Sequence, residues 1–232
     1  MIEVQHISKK FGKRQILDDI SFRVEPGERV VIVGKNGSGK TTLLRIMAGI
    51  IKGDAGEILY FDEKAKSNGK VFRKYCGYVP QENPLIDELS VGDNLKLWSG
   101  NKIVKNQIIE RFKLQDMLKM PVNKLSGGMK RRLSIACALL TEPKILILDE
   151  PTTALDLYFK DEIMHWLQVF QNEGGIVLMT SHDTTEILNA DRCLLMSAGQ
   201  LLELKKEEIT LEKVRAVVGI NNNNERGDSY GK

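Results

Sequence analysis

Three stretches of the chain place chemically capable residues where a folded protein could use them. The first is GKNGSGKT, residues 34 to 41, which fits the pattern G-x-x-x-x-G-K-[ST]. It follows the apolar run ERVVIVG and precedes KTTLLRIMAG, so it reads as a loop between a buried strand and a helix. Glycines let such a loop wrap backbone amides around phosphate oxygens, and the helix amino terminus adds partial positive charge. Lys40 would reach the β- and γ-phosphates of a nucleotide, Thr41 would ligate magnesium, and the amides near Gly37 and Gly39 would hold the β-phosphate. The phosphate-binding set is therefore Gly34, Lys35, Asn36, Gly37, Ser38, Gly39, Lys40, Thr41 and Thr42. The competing reading, a glycine-rich turn that binds nothing, does not use the strand-loop-helix context.

The second stretch, ILILDEP, puts Asp149 and Glu150 at the carboxyl end of an apolar run, where ligands bind in parallel sheets. Asp149 can hold magnesium directly or through water, and Glu150 can orient and deprotonate an attacking water. An ordinary strand end or a helix cap before Pro151 are the plain alternatives. The third stretch is LSGGMKRR, residues 125 to 132. Ser126 opens a helix, and Gly127 and Gly128 allow its first amides to approach an anion, a second phosphate-binding terminus. Lys130, Arg131 and Arg132 then either add to that field or face solvent. A simply capped helix and a nucleic-acid patch are the other readings.

The elements that must position these groups follow from the apolar pattern. ERVVIVG, KILILDE and GIVLMTS read as strands buried on both faces and separated by helices, which argues for an α/β core with a mainly parallel sheet. IEVQHI, QILDDISFRV and GEILYFDE alternate apolar and polar residues, as a flanking antiparallel sheet does. From about residue 84 to 140 the strand signal gives way to a helical insertion. Ser90 with Asp93 marks one helix start, and NKIVKNQIIERFKLQDMLKM carries helical spacing at Ile103, Ile108, Ile109, Phe112, Leu114 and Leu118. A further helix from about Leu157 places Ile163, Trp166, Leu167 and Phe170 on one face and stops at Gly174 and Gly175. The domain is expected to run from 1 to 220, followed by a disordered tail, 221–232, whose polar residues cannot offset their ordering entropy.

With 34 basic against 31 acidic residues the net charge is only +3, which gives no general ground for nucleic-acid binding. The sequence shows no secretory signal and no apolar run of bilayer length, so a cytoplasmic location is expected. Cys76, Cys137 and Cys193 lie far apart and read as reduced packing residues.

Taken in order, GKNGSGKT, YVPQ, LSGG, ILILDEP, TTALD and TSHD resemble the ATP-binding subunit of ABC transporters over almost the whole chain to about residue 220. The resemblance implies a P-loop NTPase core and a head-to-tail homodimer in the ATP-bound state. Each ATP would lie between the Walker A loop of one chain and the LSGG helix of the other. Gln81 matches the glutamine that senses magnesium and the attacking water and lies near the membrane partner. His182 matches the switch histidine that contacts the γ-phosphate, and Asp156 the loop that crosses the dimer interface. Phe11 takes the place of the aromatic that stacks on adenine, although by itself it reads equally as core. The implied activity is hydrolysis of ATP with Mg2+ to drive a separate integral membrane subunit, at the inner face of the cell membrane. Met129 stands where the motif usually has glutamine, which puts a polar contact near the sugar in doubt, and SGGMKRRL leans towards the drug and polysaccharide exporter branch. A soluble ATPase of a cytoplasmic assembly complex and a nucleotide-dependent nucleic-acid factor are the alternatives.

Overall fold

The computed structural model describes residues 1–65, 69–100, 104 and 106–218. The tail expected from 221 onward, and Ile103, lie outside the described residues. The chain opens with β1 (Ile2–Phe11) and β2 (Arg14–Val24), then enters the core with β3 (Arg29–Gly34) and α1 (Lys40–Met47). It returns to the first sheet as β4 (Ala55–Tyr60) and β5 (Glu63–Lys64), and α2 (Lys70–Tyr75) leads into β6 (Cys76–Val79). Three helices follow, α3 (Val91–Ser99), α4 (Asn106–Arg111) and α5 (Gly127–Leu139). The remaining elements are β7 (Ile145–Leu148), α6 (Leu157–Asn172), β8 (Ile176–Thr180), α7 (Thr184–Leu188), β9 (Arg192–Ser197), β10 (Gln200–Lys205) and α8 (Leu211–Val218).

Two sheets result. Six strands run in the order β10-β9-β3-β8-β7-β6, parallel except for β10, and four antiparallel strands run β2-β1-β4-β5. All residues of β3, β7 and β8 are buried, which is why these strands read as continuous apolar runs. The side chains of the parallel strands alternate between two cores. Val31, Val33, Leu146 and Leu148 face a cluster with α3, α5 and α6, while Val30, Ile32, Ile145 and Ile147 face α1 and the antiparallel sheet. Cys137 and Cys193 are buried and Cys76 half-buried, and burial pushes all three thiols up to about 12, which keeps them unreactive near neutral pH.

Between β6 and β7 the described residues hold no strand, only helices and the bridge Ser90–Pro121. Ser90 caps α3 by accepting a hydrogen bond from the Asp93 amide at 3.1 Å. The helical spacing expected over residues 101–120 is not realised as one helix. α4 ends at Arg111, and Lys113 takes a φ of +48°, with the Leu114 amide bonded back to the Ile109 carbonyl at 2.9 Å. This is a Schellman-type stop with lysine in the place usual for glycine. Phe112 and Leu114 are nonetheless fully buried, so the apolar spacing reported burial correctly while the chain changed direction beneath it. β6, β9 and β10 add strands beyond the apolar runs that mark the others. Likewise Phe61 and Asp62, both at positive φ, make the two-residue turn between β4 and β5 without the usual Asn-Gly signal.

Candidate active site

In a parallel sheet every strand delivers its carboxyl end to the same edge. β3 ends at Gly34, β6 just before Gln81, β7 just before Asp149 and β8 just before His182. Adjacent parallel pairing of β3-β8-β7-β6 therefore brings four separated motifs to one rim. There a cleft of about 520 Å³ is lined by Phe11, Asn36, Gly37, Gly39, Lys40, Thr41, Thr42, Gln81, Glu150 and His182, with Arg14 and Ile16. Arg14 and Ile16 carry no motif signal and were not found from the sequence.

The loop after β3 depends on its glycines. A Cβ at Gly34 would lie 2.3 Å from the Met196 carbonyl oxygen, and one at Gly39 would lie 2.9 Å from Leu17. Gly39 takes a φ of +108° and is the residue from which α1 starts. Lys35, Asn36 and Gly37 are exposed, whereas Ser38 is half-buried with its hydroxyl unpartnered among the described residues. Lys40 is buried and its ammonium donates to the carbonyls of Gly34 at 2.7 Å and Lys35 at 3.2 Å. Desolvation pulls its pKa below the usual lysine value, against the attraction of Glu150 and Asp149. Thr41 and Thr42 are half-buried on the first turn of α1.

Asp149 is 1% exposed. Its Oδ1 accepts from the Thr180 hydroxyl at 2.7 Å, and that hydroxyl accepts from the Glu150 amide at 2.8 Å, so one threonine at the end of β8 ties both acidic residues to the sheet. Asp149 Oδ2 is buried without a partner among the described residues. A buried carboxylate oxygen left over in this way fits a cation or a cation-bound water. Glu150 takes a φ of +47°, a left-handed conformation that side-chain-bearing residues rarely hold. Its Oε2 accepts from Gln81 Nε2 at 3.3 Å and from the Thr153 hydroxyl at 3.0 Å, and its Oε1 lies 3.3 Å from His182 Nε2. The amide, carboxylate and imidazole thus converge across three loops. Phe11 is 54% exposed at the end of β1, which removes the core reading of that residue.

Ser126, Gly127, Gly128 and Asp156 do not line this cleft. Ser126 caps α5, accepting from the Met129 amide at 3.3 Å, and Ser126 and Gly127 are exposed. Gly128 is buried, and a Cβ there would lie 2.5 Å from the Phe159 ring. Asp156 caps α6 through the Phe159 amide at 3.0 Å, and Asp183 caps α7 through the Thr185 and Glu186 amides. The cations after the glycines are engaged within the chain itself. Arg131 and Arg132 are buried, Arg132 pairing with Glu162 over the rings of Phe159 and Trp166, while Lys130 pairs with Asp87 at 2.8 Å.

The chain matches the ABC transporter family over residues 17–153. It is 33% identical over 208 residues to the Nod factor export ATP-binding protein I of Rhizobium etli, covering 86% of this chain and 66% of that protein. It is 37% identical over 216 residues to the sulfate/thiosulfate import ATP-binding protein cysA of Cucumis sativus, covering 86% and 61%. The chain thus spans about two thirds or less of the length of these two relatives, and since one is an export and the other an import component they choose no direction of transport. A dimeric ATP-binding cassette solved in a post-hydrolysis state with ADP and Pi has a TM-score of 0.80 at 26% identity, covering 89% of this chain and 99% of that one. With a mainly parallel sheet, a flanking antiparallel sheet and four of its six motifs gathered on one rim, the chain belongs to the ABC transporter family and has the fold of its ATP-binding cassettes.

Proposed function

We propose that the chain binds and hydrolyses ATP and that this cycle drives a separate membrane subunit. The observation that carries the reading is the convergence of Lys40, Glu150, Gln81 and His182 on one cleft floored by a glycine-rich loop. The residues from Gly34 to Thr42 would bind the phosphates, and Phe11 would stack on the adenine. Thr41, Asp149 and Gln81 would hold Mg2+, which supplies charge neutralisation on the phosphate oxygens. Lys40 holds the β- and γ-phosphates as a cation. Glu150 takes the proton from the attacking water as the new P–O bond forms and the bond to ADP breaks. Gln81 and His182 hold that carboxylate in place, and His182 would contact the γ-phosphate.

Ser126–Gly128 lie outside the cleft that holds the chain's own loop, so their phosphate cradle would serve the nucleotide of a second copy, with Asp156 at the interface. No helix among the described residues is long and apolar enough to cross a membrane. Action on transport would therefore require a membrane-embedded partner, with this chain peripheral at the cytoplasmic face. Phosphate release tests the reading: the unaltered chain hydrolyses ATP, and Lys40→Ala nearly abolishes turnover and weakens binding. Undiminished turnover in purified Lys40→Ala overturns it.

A further inference from the structure

Arg131 sits one turn into α5, 5% exposed, and its side chain reaches the backbone that carries Gln81 and Glu150. Its Nε donates to the Pro151 carbonyl at 2.8 Å, its Nη2 to the Asp149 carbonyl at 2.7 Å, and its Nη1 to the Pro80 carbonyl. Each acceptor is a main-chain neighbour of a group on the cleft. Pro80 precedes Gln81, and Asp149 and Pro151 bracket Glu150. Burial holds the guanidinium pKa down at about 10 against the pull of Asp149, so Arg131 is a cation at neutral pH. The backbone it grips is the strained one, since Glu150 keeps its φ of +47° only where the surroundings over-determine it. A planar fork with donors in fixed directions can hold three carbonyls at once, which neither an ammonium nor a single amide can do.

We propose that Arg131 is a positioning residue for hydrolysis, clamping the Pro80, Asp149 and Pro151 carbonyls so that Gln81 and Glu150 meet in the geometry the reaction needs. The inference rests on the ATPase reading above. Arg131 does not line the cleft, so it acts through Glu150 and leaves nucleotide affinity alone.

Arg131→Lys and Arg131→Gln test it in the full chain. Both variants should unfold cooperatively and bind ATP with an unchanged Kd, while kcat falls ~10²-fold, as when a catalytic group is misplaced by about 1 Å. In a Glu150→Gln background the same substitutions should cost almost nothing further in single-turnover hydrolysis, because the group they position is already disabled. Wild-type kcat in either variant overturns the proposal. So does an equal fold-loss with and without Glu150→Gln, which would make Arg131 independent of Glu150. If both variants lose cooperative unfolding, Arg131 is a folding residue and the proposal fails. An unaltered chain without ATPase activity would remove the parent reading instead, with Arg131 variants indistinguishable from it.

Discussion

Replacing Glu150 by Gln keeps the side chain's size and removes its basicity. The Glu150 carboxylate sits among a Gln81 amide, a Thr153 hydroxyl and the His182 imidazole, all within 3.3 Å, so the substituted amide keeps one acceptor oxygen for these donors. Losing a general base costs ~10²–10⁴-fold in rate, or about 2.7–5.5 kcal/mol of transition-state stabilisation. The left-handed backbone at position 150 costs ~1–2 kcal/mol in either residue, so it cancels, and stability should change by less than about 1 kcal/mol. The rate loss therefore cannot come from unfolding. A Glu150→Gly control separates strain from chemistry. It relieves the ~1–2 kcal/mol but adds ~0.5–1 kcal/mol of backbone entropy, so Tm should hold or rise by a few degrees while hydrolysis is lost. With hydrolysis blocked, ATP should accumulate a dimer of Glu150→Gln in gel filtration with light scattering, and ADP should leave it monomeric. A folded Glu150→Gln that keeps more than about a tenth of the rate refutes the general-base assignment. A lower Tm for Glu150→Gly refutes the strain argument.

Phe11→Ala should weaken ATP binding by ~1–3 kcal/mol, read by titration calorimetry, with Tm unchanged, since the ring is exposed; an equal affinity would remove the stacking role. Ser126→Arg, combined with Glu150→Gln, should abolish the ATP-dependent dimer, and a surviving dimer would place Ser126 away from the partner's nucleotide. Gly128→Ala pushes a Cβ onto Phe159, so overpacking of ~1–3 kcal/mol should outweigh the roughly 1 kcal/mol helix-propensity gain, with Phe159→Leu recovering Tm in the double variant. Glu186 is buried, its Oε1 accepting from Thr152, and desolvation raises its pKa above 4.5. The native state holds that proton more tightly, so the group's stability contribution is complete below 4.5 and is lost as pH rises through the folded value. Glu186→Gln lacks this loss, so its Tm relative to the unaltered chain should rise from about pH 4 to about pH 8; a constant difference would refute the shift.

The sequence alone determined the motifs and the class of fold. GKNGSGKT and ILILDEP carry meaning locally, because a phosphate loop needs glycines and a lysine at fixed spacing and a buried strand writes its apolar residues consecutively. The helix starts at Ser90 and Ser126 were equally local, each cap acting on an amide three residues on. Tertiary structure alone decided which residues share the cleft, because that depends on strand order. β3, β8, β7 and β6 are neighbours in space but not in sequence, and Arg14 and Ile16 reach the same rim from another sheet. It also decided the fate of the cations in LSGGMKRR. Nothing in three consecutive basic residues distinguishes a solvated face from a buried clamp, and the acceptors of Arg131 are backbone carbonyls, which every residue carries and no side-chain pattern reveals.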